Sequence, residues 1–296
     1  MAPAIKADYQ VSEFKGSDAF TEVDHFLKSG SGVAGSPAAG KAADYLVRRL
    51  QEMDVSASMD TFEEATPDGV KTFRNVIGVI PGFQKRIIIL GAHYDLKSGI
   101  DSFVGANDSG SGVGLLLAMA PVLKAASAAG NEVWLVFLDG EECRVNYGPN
   151  DGLHGSRHLA GKLVAEGRVP KVQAFILVDM IGDRDLNVTL PRNSDPALMA
   201  AVFKAAAAAG TRAVFALSDY TILDDHQPFL DKGIPAVDLI DFQYGSAPHL
   251  NDYWHTANDT LDKLSANSLE IVGQVVLRVM NDLSAQSRSV PFKADN

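Results

Sequence analysis

The sequence predicts an α/β protein, a three-layer sandwich whose mixed, mostly parallel central sheet is flanked by helices. Three observations carry this. Short strand-like runs alternate with helical stretches along most of the chain. Several of these runs are almost continuously apolar, as strands buried on both faces are. Polar clusters follow the runs directly, and open α/β sheets bind ligands beyond the carboxyl ends of their strands.

The elements follow in order. Ser36-Pro37 opens a helix reaching about residue 53, because serine suits the cap position and proline the first turn. Its Tyr45, Leu46, Leu50 and Met53 recur near helical spacing. A strand with one polar and one apolar face is expected near 55–62, and another over 75–80. The β-branched run 86–90 is followed at once by His93-Tyr94-Asp95. Residues 110–124 are apolar and helical. The run 133–138 ends at Asp139-Gly140-Glu141-Glu142, and the run 174–178 ends at Asp179. Helices are expected over 153–164 and 196–208, strands over 213–217 and 236–240, and a long closing helix over 261–283. No repeat or linker divides the chain, so one domain is expected over 1–296, with an N-terminal helical extension at about 1–34.

Composition narrows the function. Hydrophobic residues make up 46% of the 296 and charged residues 21%, enough to build a core rather than a disordered chain. No run of about 18 apolar residues offers a membrane span. The formal net charge of −11 gives no basic footprint for nucleic acid. Cys143 is the only cysteine, which rules out an internal disulfide and a cysteine-based zinc finger. The Met1–Lys6 start has no apolar signal-peptide core, which suits either a cytosolic protein or a mature secreted one.

Five residues at or near strand ends could share one chemistry: His93, Asp108, Glu142, Asp179 and His255. Two imidazoles and three carboxylates suit zinc or a similar divalent ion. Taken singly, each has a plainer reading; Asp108, for instance, could cap the helix that follows. Their recurrence at several strand ends favours the shared one. Clustered carboxylates repel one another unless a cation or protons intervene, and no Lys or Arg is seen beside them in sequence. Glu141 next to Glu142 lets one carboxylate bind metal while the other stays free as an acid or base. No Gly-x-Ser-x-Gly or His-Glu-x-x-His occurs. Gly110–Gly114 lacks dinucleotide-binding spacing, and Cys143 reads as a packing residue.

Six segments, taken together, are distinctive: Gly91–Asp95, Gly105–Gly112, Asp139–Glu142, Asp179–Gly182, Asp225–Phe229 and Trp254–Thr260. In this order they resemble the zinc exopeptidase superfamily, which holds bacterial zinc aminopeptidases and glutaminyl cyclases. The stretch Gly148–Ala160, with its spacer before Gly155-Ser156-Arg157, resembles the cyclase branch more closely. That resemblance implies one zinc, held by Asp108, Glu142 and His255, with two ions possible if His93 and Asp179 complete a second site. It implies that Glu141 shuttles protons, that Asp179 and Asp224 are acidic neighbours in its surroundings, and that Trp254 and Tyr147 line the substrate pocket. The activity implied is conversion of a peptide's N-terminal glutamine to pyroglutamate with release of ammonia. The alternatives are zinc-dependent removal of N-terminal residues, and a non-catalytic peptide-binding relative. Peptide or protein N-termini are the expected partners of a monomer with no membrane or nucleic-acid contact, and the resemblance points to a secreted or periplasmic setting. Tyr147 stands about where animal cyclases carry a tryptophan, and Asp238 where they carry a histidine.

Overall fold

A computed structural model of the chain describes residues 9–126 and 130–289. The Met1–Lys6 start and the first eight residues of the expected extension lie outside them. The elements in order are α1 (Gly16–Ser29), α2 (Pro37–Glu52), β1 (Ser56–Thr66), β2 (Gly69–Ile80), β3 (Gln84–His93), α3 (Gly110–Ala125), β4 (Asn131–Leu138), α4 (His154–Ala165), β5 (Val172–Asp179), β6 (Val188–Leu190), α5 (Pro196–Ala208), β7 (Phe215–Leu217), α6 (His226–Leu230), β8 (Ala236–Ile240) and α7 (Ala266–Ser289).

The eight strands form one sheet in the order β1-β2-β4-β3-β5-β8-β6-β7. Its centre, β4-β3-β5-β8, is parallel; β1 and β2 add antiparallel strands at one edge, and β6 runs antiparallel to β8. Strand alternation divides the core in two. Ile88 and Leu90 of β3 join the cluster beneath α1, α2, α3, α5 and α7, whereas Ile87 and Ile89 join the cluster beneath α4 and α6. The sheet is therefore covered on both faces, as its apolar strands require.

Local chemistry explains the boundaries. Ser36 caps α2 by accepting the Ala39 N–H at 3.1 Å, and Asp195 caps α5 through Ala197 and Leu198. Gly114 lets α1 close on α3, since a Cβ there would lie 2.4 Å from Val23 Cγ2 and 2.7 Å from the Ala19 carbonyl. The glycine-rich start of α3 thus serves helix packing. Two expectations are corrected, and one strand comes unexpected. The 213–217 strand is a 3-10 turn over Arg212–Val214 followed by a three-residue strand. The closing helix begins at Ala266, because Ser265 is tied to the Gly182 carbonyl at 2.8 Å after a separate 3-10 turn at Leu261–Lys263. Residues 188–190 form a strand too short to leave a periodic pattern.

Candidate metal centre and its surroundings

The parallel strands end at one rim of the sheet and carry their polar residues to it. His93 closes β3, the loop after β4 holds Glu141 and Glu142, and Asp179 closes β5. Asp108 precedes α3 but does not cap it, because no side chain makes a cap bond there. The N–H groups of Asn107 and Asp108 instead donate to Asp259 at 2.8 and 3.1 Å, and Tyr244 donates its hydroxyl to the same carboxylate at 2.7 Å. This anchor faces Asp108 toward two imidazoles. His93 Nε2 lies 3.1 Å from Asp108 Oδ1 and 3.3 Å from Asp179 Oδ1. His255 Nε2 lies 3.2 Å from Asp108 Oδ2 and 2.8 Å from Glu142 Oε1.

Two groups able to hold a metal result: His93, Asp108 and Asp179, and Asp108, Glu142 and His255, each with ligand atoms within 4.8 Å of one another. The donors fit a zinc ion. They combine imidazole and carboxylate, and they crowd three buried carboxylates, Asp108, Asp179 and Glu142, around two imidazoles. Burial pushes the Asp179 and Glu142 carboxyls above the usual range. It pushes Asp108 the same way, but hydrogen bonds from His255 and His93 outweigh burial and hold Asp108 well below. Burial works against a charged His255, yet Asp108 and Glu142 raise it to about 9. A metal ion would take the place of these protons.

Asp95 sets the carboxylate pair by accepting the N–H groups of Gly140, Glu141 and Glu142 at 3.0 to 3.3 Å. Glu142 thereby faces His255. Glu141 makes one side-chain hydrogen bond among the described residues, from the Tyr147 hydroxyl at 2.8 Å. Burial, then the Glu142 and Asp224 charges, push its carboxyl well above the usual range. Trp254 is half-buried, stacked on His255 at 4.0 Å and edge-on to Phe242, a wall rather than a core position.

The model of peptidase family M28 matches residues 75–280. The glutaminyl-peptide cyclotransferase of Bothrops jararaca is 30% identical over 294 residues, covering 83% of this chain and 77% of that one. The crystal structure of a glutaminyl cyclase from an Acidobacteriales bacterium is 36% identical at a TM-score of 0.85, covering 92% of this chain and 96% of that one. This chain belongs to family M28, in its glutaminyl-cyclase branch. A Zn-dependent exopeptidase from Parabacteroides distasonis superposes on this M28 chain at a TM-score of 0.80 and 25% identity, over 91% of this chain and 98% of that one.

The other residues singled out in the sequence of this M28 chain lie around the two metal groups. Asp224 is buried and accepts its neighbour's N–H from Asp225; burial, then Asp179 and Asp225, push its carboxyl well up. Asp238 is buried on β8 and likewise raised by burial and then Asp224. His226 Nδ1 lies 3.8 Å from Asp238, and its Nε2 meets the Asn193 amide at 2.9 Å. Burial lowers this imidazole to about 4. Cys143 is buried, and His249 is exposed beside Gln243.

The fold supplies a partner that sequence neighbours do not. A cation does stand by the carboxylates: Lys97 Nζ lies 3.2 Å from Glu142 Oε2 and donates to the Cys143 carbonyl at 2.7 Å. Lys97 follows Asp95 by two residues in sequence, but only the fold brings it across to the loop after β4. The scaffold roles of Asp95 and Asp259 were also missed. The signal available was an Asp beyond one strand and a Gly-Glu-Glu turn beyond another, each needing partners.

Proposed function

We propose that this protein is a zinc-dependent glutaminyl-peptide cyclotransferase acting on peptides and proteins with N-terminal glutamine. The observation that carries the reading is Glu141, a buried carboxylate beside a metal-binding group yet outside it, with Trp254 stacked on that group's His255. The cyclotransferase relatives support it.

Asp108, Glu142 and His255 would hold the zinc, which supplies Lewis-acid polarisation of the substrate's side-chain amide carbonyl. Trp254 and the Tyr147 ring wall the pocket and place the α-amine against that carbon. Ring closure is intramolecular, so positioning supplies much of the rate. Glu141 takes a proton from the amine as the new C–N bond forms. It then delivers that proton to the amide nitrogen as the old C–N bond breaks and ammonia leaves. The buried, raised carboxyl suits both transfers. Asp224, whose charge reaches Glu141, and Asp179, whose charge reaches Asp224, keep the surroundings acidic.

A second reading has its own support. His93, Asp108 and Asp179 complete a second metal group, which suits an aminopeptidase with Glu141 as general base for water attack. Mass spectrometry of zinc-loaded protein with an N-terminal Gln peptide and an N-terminal Leu peptide separates the two. Loss of one ammonia from the Gln peptide, with the Leu peptide intact, is expected. Removal of leucine would make the protein an aminopeptidase.

A further inference from the structure

The strongest feature that the proposed reaction leaves unused is the Tyr147 hydroxyl. As a pocket wall, Tyr147 needs only its ring. Its hydroxyl nevertheless donates to Glu141 Oε1 at 2.8 Å, the one hydrogen bond of that side chain among the described residues. The loop that carries it is built to hold it there. Asp151 accepts the N–H groups of Arg144, Val145 and Asn146. Gly148 and Asp151 bond each other's backbone at 2.9 and 3.2 Å, and Arg157 donates to the Gly148 carbonyl at 2.9 Å. The far end of the loop returns to the catalytic turn, Leu153 N–H to the Glu141 carbonyl and His154 N–H to the Gly140 carbonyl, both at 2.9 Å. Gly152, at φ +73°, leaves room for the ring, since a Cβ there would lie 2.5 Å from Tyr147 Cδ1. Burial, then the Glu141 and Glu142 charges, push the phenol far above its usual range, so it remains a donor.

We propose that Tyr147 is a positioning residue, its hydroxyl pinning Glu141 Oε1 so that Oε2 alone carries the proton between the amine and the departing nitrogen. The inference rests on the cyclase reading of Glu141. A shuttle must take up and release the same proton within one turnover. A carboxylate free to rotate about its last bond would present either oxygen to either nitrogen, whereas one held at a single oxygen keeps the other aimed.

Two variants divide the hydroxyl from the ring. Tyr147→Phe keeps the wall and removes the donor; Tyr147→Leu removes both. With zinc-loaded protein and an N-terminal Gln peptide, Tyr147→Phe is expected to lower kcat about tenfold with KM within about twofold. Tyr147→Leu is expected to lose the same in kcat and to raise KM as well. Wild-type kcat in Tyr147→Phe, or a loss in KM alone, would overturn the proposal and leave the ring as a wall. A thermal-unfolding cycle with Glu141→Ala reads the contact without any turnover: Tyr147→Phe should shift Tm in the wild type and leave it unchanged in the Glu141→Ala background. Equal shifts in both backgrounds would overturn the contact. A wild type that leaves the Gln peptide unchanged would instead refute the cyclase reading, and the unfolding cycle would still decide the contact.

Discussion

Two sets of buried acids lie side by side in this molecule and meet different fates. Asp95 and Asp259 are fully buried, and backbone N–H groups occupy their oxygens: three on Asp95, and two plus the Tyr244 hydroxyl on Asp259. Asp108, Asp179 and Glu142 are almost as buried, yet their oxygens face side chains instead: His93 and His255, and Lys97 on Glu142. Both sets are buried carboxylates. What separates scaffold from site is who satisfies the oxygens. A carboxylate filled by backbone donors holds the chain in place, and one shared with imidazoles can exchange them for a metal ion.

Substitutions can break or sharpen that contrast. The largest effect is expected at Glu141, which belongs to neither set. Glu141→Gln should cut turnover about a thousandfold while zinc binding and Tm stay unchanged; zinc loss in that variant would instead make Glu141 a ligand. In the scaffold set, Asp259→Ala strands two N–H groups and a buried hydroxyl. Urea unfolding of the metal-free protein should show a loss of about 3 kcal/mol, and a loss below about 1 kcal/mol would dissolve the distinction.

The next effect is on pH. His226 is buried neutral, its pKa lowered to about 4 by burial, against roughly 6.5 when unfolded. Its contribution to stability is therefore complete above about pH 6.5 and is lost as pH falls toward 4. Between pH 6.5 and 5 the wild type should lose about 2 kcal/mol relative to His226→Met. Parallel stability curves for the two proteins would show that the imidazole takes up its proton as freely in the fold as outside it. The smallest effect is expected at Lys97, which pairs with the outer oxygen of Glu142. Lys97→Met should weaken zinc about tenfold in a chelator competition with little change in Tm, and unchanged affinity would make the pair incidental.

Much of this architecture is legible in the sequence. The apolar runs at 86–90, 133–138 and 174–178 gave the parallel centre because strands buried on both faces need no alternation. The polar residues that end those runs gave the rim. Short elements were not legible, since the three residues of β6 carry no period. The five residues of the two groups able to hold a metal stand out in the sequence because they lie at or near strand ends and share one chemistry. Lys97 was missed because its partner lies 45 positions away, and the direction of the Tyr147 hydroxyl depends on a glycine five residues later that makes space for the ring.

The most direct test compares thermal unfolding of wild type and Asp108→Asn, each metal-free and with zinc. Asp108 is the one residue shared by both metal groups. With zinc at a thousand times its Kd, the wild type should gain about 4 kcal/mol of stability. Asp108→Asn should gain almost nothing from zinc. If Asp108→Asn instead lost as much stability without metal as Asp259→Ala, and zinc left the wild type unmoved, Asp108 would belong to the scaffold and the metal centre would be refuted.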